Sequence, residues 1–365
     1  VFFFRETAAA RFFGPLFAFD AVEALPPIST PDGVFLGDGL ANVDFTVHDQ
    51  TTSSYAAFGN ADYTIFDLIR LHGGVRYTKD WKSFLESFRA APIVTRSCSF
   101  LENKAEWSDT SFKGGLDILA SEDMMIYGSY TQGFKAGGFN ATGCGDQYDP
   151  ETVDAFEGGL KTQLFENRAR INVTGFDYSY DNIQTVRTTL VTQEVVNGPQ
   201  AKMRGVELET AASPLEGLRF DGTFAWLYAE YTEFTDDDSL TPVEGPRNLA
   251  GNRLPKTPEI AFSLGVQYTL PVWSYGDLTA RYDYAYTDGY YFTAFNERVE
   301  RQRAYGMSNA FLLFEHGSGV SVKGFVKNIE EEYVRTGVIP TAPIGGYLVN
   351  FGPPRTWGFE VGYRF

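Results

Sequence analysis

The chain has 365 residues, with 47 Asp and Glu against 30 Lys and Arg, and a formal net charge of −17. That balance excludes nucleic acid as a partner, because phosphate backbones require a basic footprint. Aromatic residues reach 16%, with 32 Phe and 21 Tyr, yet charged residues make up an ordinary 21%, and no run of about 18 uncharged apolar residues is present to cross a membrane as a helix.

The chain opens Val1-Phe2-Phe3-Phe4-Arg5 without an initiator Met, a basic leader or a small-residue cleavage site, so it reads as starting inside a strand over residues 1–13. A long segment, 14–42, follows, then a tight turn at 66–68, a longer loop at 86–104 and a tight turn at 120–123. Strand, long loop, strand and short turn continue in alternation. Long loops fall at 135–152, 188–200, 235–255 and 291–299, and tight turns at 165–168, 214–217 and 271–276. The His316-Gly317-Ser318-Gly319 turn then joins strands at 300–316 and 319–329, and a Gly/Pro-containing loop leads to a last strand at 355–365.

Period-two alternation is complete in several strands. Phe262, Leu264, Val266, Tyr268 and Leu270 oppose Ala261, Ser263, Gly265, Gln267 and Thr269. Leu278, Ala280, Tyr282, Tyr284 and Tyr286 oppose Thr279, Arg281, Asp283, Ala285 and Thr287. Residues 218–228, 320–327 and 356–365 repeat the pattern, the last with Trp357, Phe359, Val361, Tyr363 and Phe365 on one side. Residues 170–182 break it: Ile171 and Val173 share a side with Gly175, Asp177 and Ser179, opposite Phe176, Tyr178 and Tyr180. A bulge or an inward apolar contact would account for the change. The fold class that follows is all-β, a transmembrane antiparallel up-and-down β-barrel with about 14 strands, each able to show one face to lipid and one to a wet lumen.

Motifs for chemistry are weak. Gly133-Phe134-Lys135-Ala136-Gly137-Gly138 lacks phosphate-loop spacing and reads as a structural turn. His48, His72 and His316 are scattered, and Asp236-Asp237-Asp238 reads as a solvated loop tip without EF-hand spacing. There is no GxSxG elbow, and Glu207, Glu209 and Asp283 sit on lumen faces where charge serves solvation. The chain is therefore expected to be neither an enzyme nor a cofactor or metal binder. Cys98 and Cys144 fall on neighbouring outer loops, and both a disulfide and two thiols remain open. In the outer loops, Phe134, Phe139, Tyr148, Tyr290, Tyr291 and Phe292 are candidates to stack on a planar ligand, and Arg253 and Arg298 to pair with an anionic one.

Tyr127-Gly128-Ser129-Tyr130-Thr131-Gln132-Gly133-Phe134-Lys135-Ala136-Gly137-Gly138-Phe139-Asn140 and the run from Tyr148-Asp149-Pro150-Glu151 to Lys161 resemble segments of TonB-dependent receptors. Arg204-Gly205-Val206-Glu207-Leu208-Glu209, Asn252-Arg253-Leu254-Pro255, Val326-Lys327-Asn328-Ile329 and Pro354-Arg355-Thr356-Trp357-Gly358-Phe359-Glu360 follow in that family's order. The resemblance implies that residues 1–365 are the C-terminal part of a 22-stranded barrel, with the plug domain and first strands absent. It also implies an outer-membrane location in a Gram-negative bacterium and contact with membrane lipid and, through the missing N-terminal region, with TonB. The implied function is active uptake of a scarce nutrient: a ferric siderophore or other iron chelate, vitamin B12 or an oligosaccharide. A passive porin, or less readily a barrel enzyme or adhesin, is the alternative.

Overall fold

The computed structural model describes residues 2–11, 47–88, 98–141, 144–188, 193–341 and 345–364. Fourteen strands form one antiparallel sheet in strict chain order. They are β1 (Phe2–Arg11), β2 (Val47–Ile65), β3 (Ile69–Phe88), β4 (Cys98–Ser121), β5 (Met124–Lys135), β6 (Glu151–Leu164) and β7 (Ala169–Asp181). Then come β8 (Gln200–Leu215), β9 (Leu218–Glu233), β10 (Ile260–Val272), β11 (Gly276–Thr287), β12 (Tyr305–His316), β13 (Val320–Lys327) and β14 (Thr356–Tyr363). Among the described residues no ladder joins β14 to β1, so this wall has two edges. The expected loop over 14–42 and the terminal Phe365 lie outside the described residues.

Short turns gather at one end, as tandem hairpins require. At the β2–β3 turn, Phe66 and Asp67 both adopt φ 54° and Leu68 N donates to Ile65 O at 3.1 Å, the mirror-image turn whose twist matches its flanking strands. At the other end the strands run tall. β2, β3 and β4 have 19, 20 and 24 residues, well beyond the roughly 9–11 that cross a bilayer at a tilt, so they project past the membrane. This shortens the expected loop at 86–104: β3 continues to Phe88, β4 begins at Cys98, and these two residues are register partners. Similarly, the expected strand at 300–316 enters the wall only at Tyr305, because Arg301–Gln302 turns aside to pair with Tyr290–Tyr291.

Register partners share a face, which sorts the side chains. Val266 lies between Phe220 and Tyr282, and Leu264 between Gly222 and Tyr284. Leu264 is 58% exposed, and Tyr268, Leu270, Leu312 and Phe359 are exposed with it, whereas only twelve hydrophobic residues among those described are buried. A water-soluble sheet would bury this band; its size and continuity mark a surface whose solvent is lipid. The other face is wet and charged. Arg281 Nη1 and Nη2 grip Asp221 at 2.9 and 2.8 Å, and Nη2 and Nε reach Asp283 at 2.6 and 2.9 Å. Nearer the short turns, Arg70 binds Asp117 at 2.7 Å.

The irregular strand is β7, and it contains no bulge: neither of its ladders has a register shift. Ile171 and Val173 face lipid beside Thr210 and Leu208, while Phe176, Tyr178 and Tyr180 face the lumen. The inward aromatics have partners there. Tyr178 Oη donates to Glu157, the Phe176 ring lies over Gly205, and Tyr180 packs against a small inner core. What changes along β7 is the chemistry of the inner face.

Candidate ligand site at the outer mouth

The long loops carry their own folded structure. Beyond the β5–β6, β7–β8, β9–β10, β11–β12 and β13–β14 strand ends, each forms a small hairpin: 138–139 with 147–148, 185–188 with 193–196, 235–236 with 247–248, 290–291 with 301–302, and 335–341 with 346–351. Two apolar clusters anchor them on the inner side of the strand tops. Ala201, Tyr231, Phe234 and Leu249 form one, with Tyr180, Ile183, Leu254 and Phe295 packed around it. Phe84, Trp107 and Phe139 form the other, with the Phe84 and Phe139 rings stacked at 5.8 Å.

The glycine-rich segment after β5 serves this second cluster. A Cβ on Gly137 would sit 2.2 Å from Tyr148 O and 2.7 Å from the Trp107 ring, so only glycine permits the chain to cross so closely. Lys82 Nζ then donates to Gly137 O at 2.6 Å while lying 5.6 Å over the Trp107 ring.

Asparagine side chains stitch the loops by imitating a peptide group, offering one N–H and one C=O to a backbone that offers the reverse. Asn140 Oδ1 accepts from Val195 N at 2.7 Å and Nδ2 donates to Val195 O at 2.9 Å. Asn197 does the same with Asp149, Asn296 with Arg253 and Asn328 with Glu332. Charges add further ties. Arg187 bridges Glu194 (3.1 Å) and Asp236 (3.3 Å), and Arg247 bridges Asp238 (3.5 Å) and Glu297 (2.9 Å). Thus Asp236 and Asp238, expected at a solvated tip, are buried inside this network.

Burial raises the Asp236 carboxyl above its ordinary value, against the pull of Arg187 and the Asp237 N–H. Glu300 is also raised by burial, with the Thr293 hydroxyl and the Glu297 N–H opposing. Tyr347 is pushed up to about 12 by burial and by the negative charges of Glu300, Asp238 and Glu297.

The candidate ligand residues fall on three loops and meet two fates. Phe139 and Phe292 are buried, Phe139 in the second cluster and Phe292 against Tyr290 at 5.3 Å with Lys256 above its ring. Tyr148 is half-buried beneath Gly138, and Phe134 packs at the margin of the second cluster. Arg253 is held by Asn296 and by Glu259 at 3.3 Å. Tyr290 and Tyr291 are half-buried, and Arg298 is exposed on a short 3-10 turn. Cys98 and Cys144 are not bonded to each other in this structure. Among the described residues no three His, Cys, Asp or Glu side chains are placed to hold a metal ion.

A sequence profile described as "TonB dependent receptor-like, beta-barrel" matches residues 10–329. The chain belongs to the TonB-dependent receptor β-barrel family. It is similar to the metal-pseudopaline receptor CntO of Pseudomonas aeruginosa, 23% identical over 217 residues that cover 57% of this chain and 29% of that protein. The ferrichrome outer membrane transporter/phage receptor of Escherichia coli K12 is 26% identical over 152 residues, 40% of this chain and 20% of that one. Among solved structures, the ferric yersiniabactin uptake receptor FyuA from Yersinia pestis superposes with a TM-score of 0.73 at 19% identity, covering 87% of this chain and 46% of FyuA. The siderophore receptor PiuA from Acinetobacter baumannii gives 0.70 at 19%, covering 87% and 44%. At such identities these structures establish the shared fold, and this TonB-dependent receptor chain spans less than half of each.

Proposed function

We propose that the protein containing this chain is an outer-membrane receptor of a Gram-negative bacterium that imports a metal complex, drawing its energy through TonB. The observation that carries the reading is the family match across residues 10–329. A metal–siderophore cargo is favoured over vitamin B12 or an oligosaccharide because the similar proteins are described as metal-pseudopaline, ferrichrome and siderophore receptors. A passive porin is disfavoured by the same family match. The structured mouth supplies the capture surface in this reading, with Tyr290, Tyr291 and Arg298 presented by the 290–302 hairpin, and Tyr148, Phe134 and Arg253 at the loop bases.

We further propose that the chain is the C-terminal part of a 22-stranded barrel, preceded in the protein by the plug, the segment that meets TonB and about eight strands. Coverage of 46% and 44% of FyuA and PiuA, together with the two wall edges, supports that placement. Uptake of radiolabelled iron or nickel as siderophore chelates by cells expressing the full receptor, with and without TonB, tests the function. Accumulation that disappears without TonB is expected, and TonB-independent accumulation would favour a pore.

A further inference from the structure

Most inner-wall cations hold a carboxylate or lie on a ring. Arg281 holds Asp221 and Asp283, Arg70 holds Asp117, Lys323 reaches Glu360 at 3.5 Å, and Lys161 sits over Tyr127. Arg76 and Lys113 hold no carboxylate among the described residues, although Arg76 also lies near a ring. Arg76 Nε donates to Thr78 Oγ1 at 3.0 Å, with its guanidinium 5.8 Å from the Phe58 ring centroid.

Register brings these two together. Arg76 pairs with Phe58 and Ser111, and Gly74, two residues earlier, pairs with Asn60 and Lys113, which in turn pairs with Thr131. All therefore share the lumen face, with the two cations as diagonal neighbours roughly 7–8 Å apart at their backbones. A Cβ on Gly74 would lie 2.4 Å from Asn60 Oδ1 and 2.8 Å from Lys113 Cε, so its absence lets both side chains lie across the wall. The β4–β5 ladder ends at the Lys113–Thr131 pair, and above it Gln132 Oε1 accepts from Phe112 N at 3.3 Å. Where the strands part, a recess of about 510 Å³ opens, and Phe134 is among the side chains lining it. Asp80 is the one carboxylate among its lining residues, and Asp109 lies just beyond it, accepting from Ser111 Oγ at 2.5 Å.

We propose that this recess is a binding site for a compact, oxygen-rich polycarboxylate anion, held by Arg76 and Lys113, by the Asn60 and Thr131 side chains, and against the Phe58 ring. Its place on the cargo's route rests on the import reading above; its selectivity for the anion does not. Arginine meets a carboxylate with two parallel donors and lysine with a point charge, and hydroxyl and amide groups complete the remaining oxygens.

Citrate is the probe, titrated calorimetrically into the detergent-purified full-length receptor. Arg76→Gln and Lys113→Gln should each weaken citrate about tenfold, the effect of losing one charge-assisted hydrogen bond, while Lys113→Arg stays near wild type. Absence of citrate binding, or affinity unchanged in both neutral variants, overturns the site. If the variants do not assemble, acylation of Lys113 in the wild-type receptor decides: citrate protection upholds the proposal and undiminished labelling refutes it. TonB-dependent uptake without citrate binding removes this site alone, and citrate binding without TonB-dependent uptake removes the import reading alone.

Discussion

Asn140 and Val195, 55 residues apart, exchange two hydrogen bonds through the Asn140 amide, joining the loop above β5 to the loop above β7. Asn140 is 8% exposed, so water does not readily replace a lost partner. Asn140→Asp keeps the shape but turns the donor into a second acceptor facing Val195 O, and should cost about 1–3 kcal/mol of local stability. Hydrogen exchange at residues 193–196 should accelerate, with strands β10–β12 unchanged.

The raised carboxyls give the outer loops a defined pH dependence. Asp236 and Glu300 bind protons more tightly when folded than when unfolded. Their contribution is therefore fully present below the ordinary carboxylate range and is lost as pH rises through the raised folded values. Hydrogen exchange over 290–302, corrected for intrinsic rates, should slow as pH is lowered from neutrality towards that range. Glu300→Gln should weaken this dependence; an identical pH profile in the variant would exclude Glu300 as its source.

On the inner wall, Arg281 neutralises Asp221 and Asp283 together. Arg281→Leu leaves two carboxylates facing each other across half-buried space, and should lower stability by about 1–3 kcal/mol, the cost of polar groups left without partners. Thermal unfolding of the detergent-solubilised receptor, followed by its mobility shift in gels, would report the loss. The double variant that also converts Asp221 to Asn should recover part of it.

Much of the wall was legible in the sequence and much of the mouth was not, for a physical reason. Strand β10 alternates cleanly because each residue meets one of two solvents, so its faces can be read from residue type alone. The outer loops carry no such period. Phe139 and Phe292 read as ligand-facing aromatics because nothing local reveals that loops fold back on their own cores, and Asn140 has no spacing that marks it as a peptide mimic. Arg76 and Lys113 look like ordinary lumen charge until register shows that carboxylates reach their neighbours and not them. Along β7 the alternation is legible, but its orientation depends on partners such as Glu157 and Gly205, distant in sequence.

Lipid-facing and lumen-facing positions should differ sharply in their tolerance of charge. Val266→Lys places an ammonium in the bilayer and should cost up to about 2–4 kcal/mol if it lies at the midplane. Ser263→Lys, on the same strand but the lumen face, should cost little. Folding titrations of the two variants into vesicles compare them directly.

Strand β7 offers the most direct test that this chain is a membrane barrel wall with the faces assigned above. Spin labels would be attached at Ile171→Cys, Val173→Cys, Phe176→Cys and Tyr178→Cys, with Cys98 and Cys144 replaced by Ser, in the full receptor in bilayers. Labels at 171 and 173 should be relaxed by lipid-soluble oxygen and those at 176 and 178 should not. Equal oxygen accessibility at all four positions, or accessibility confined to 176 and 178, would contradict the account.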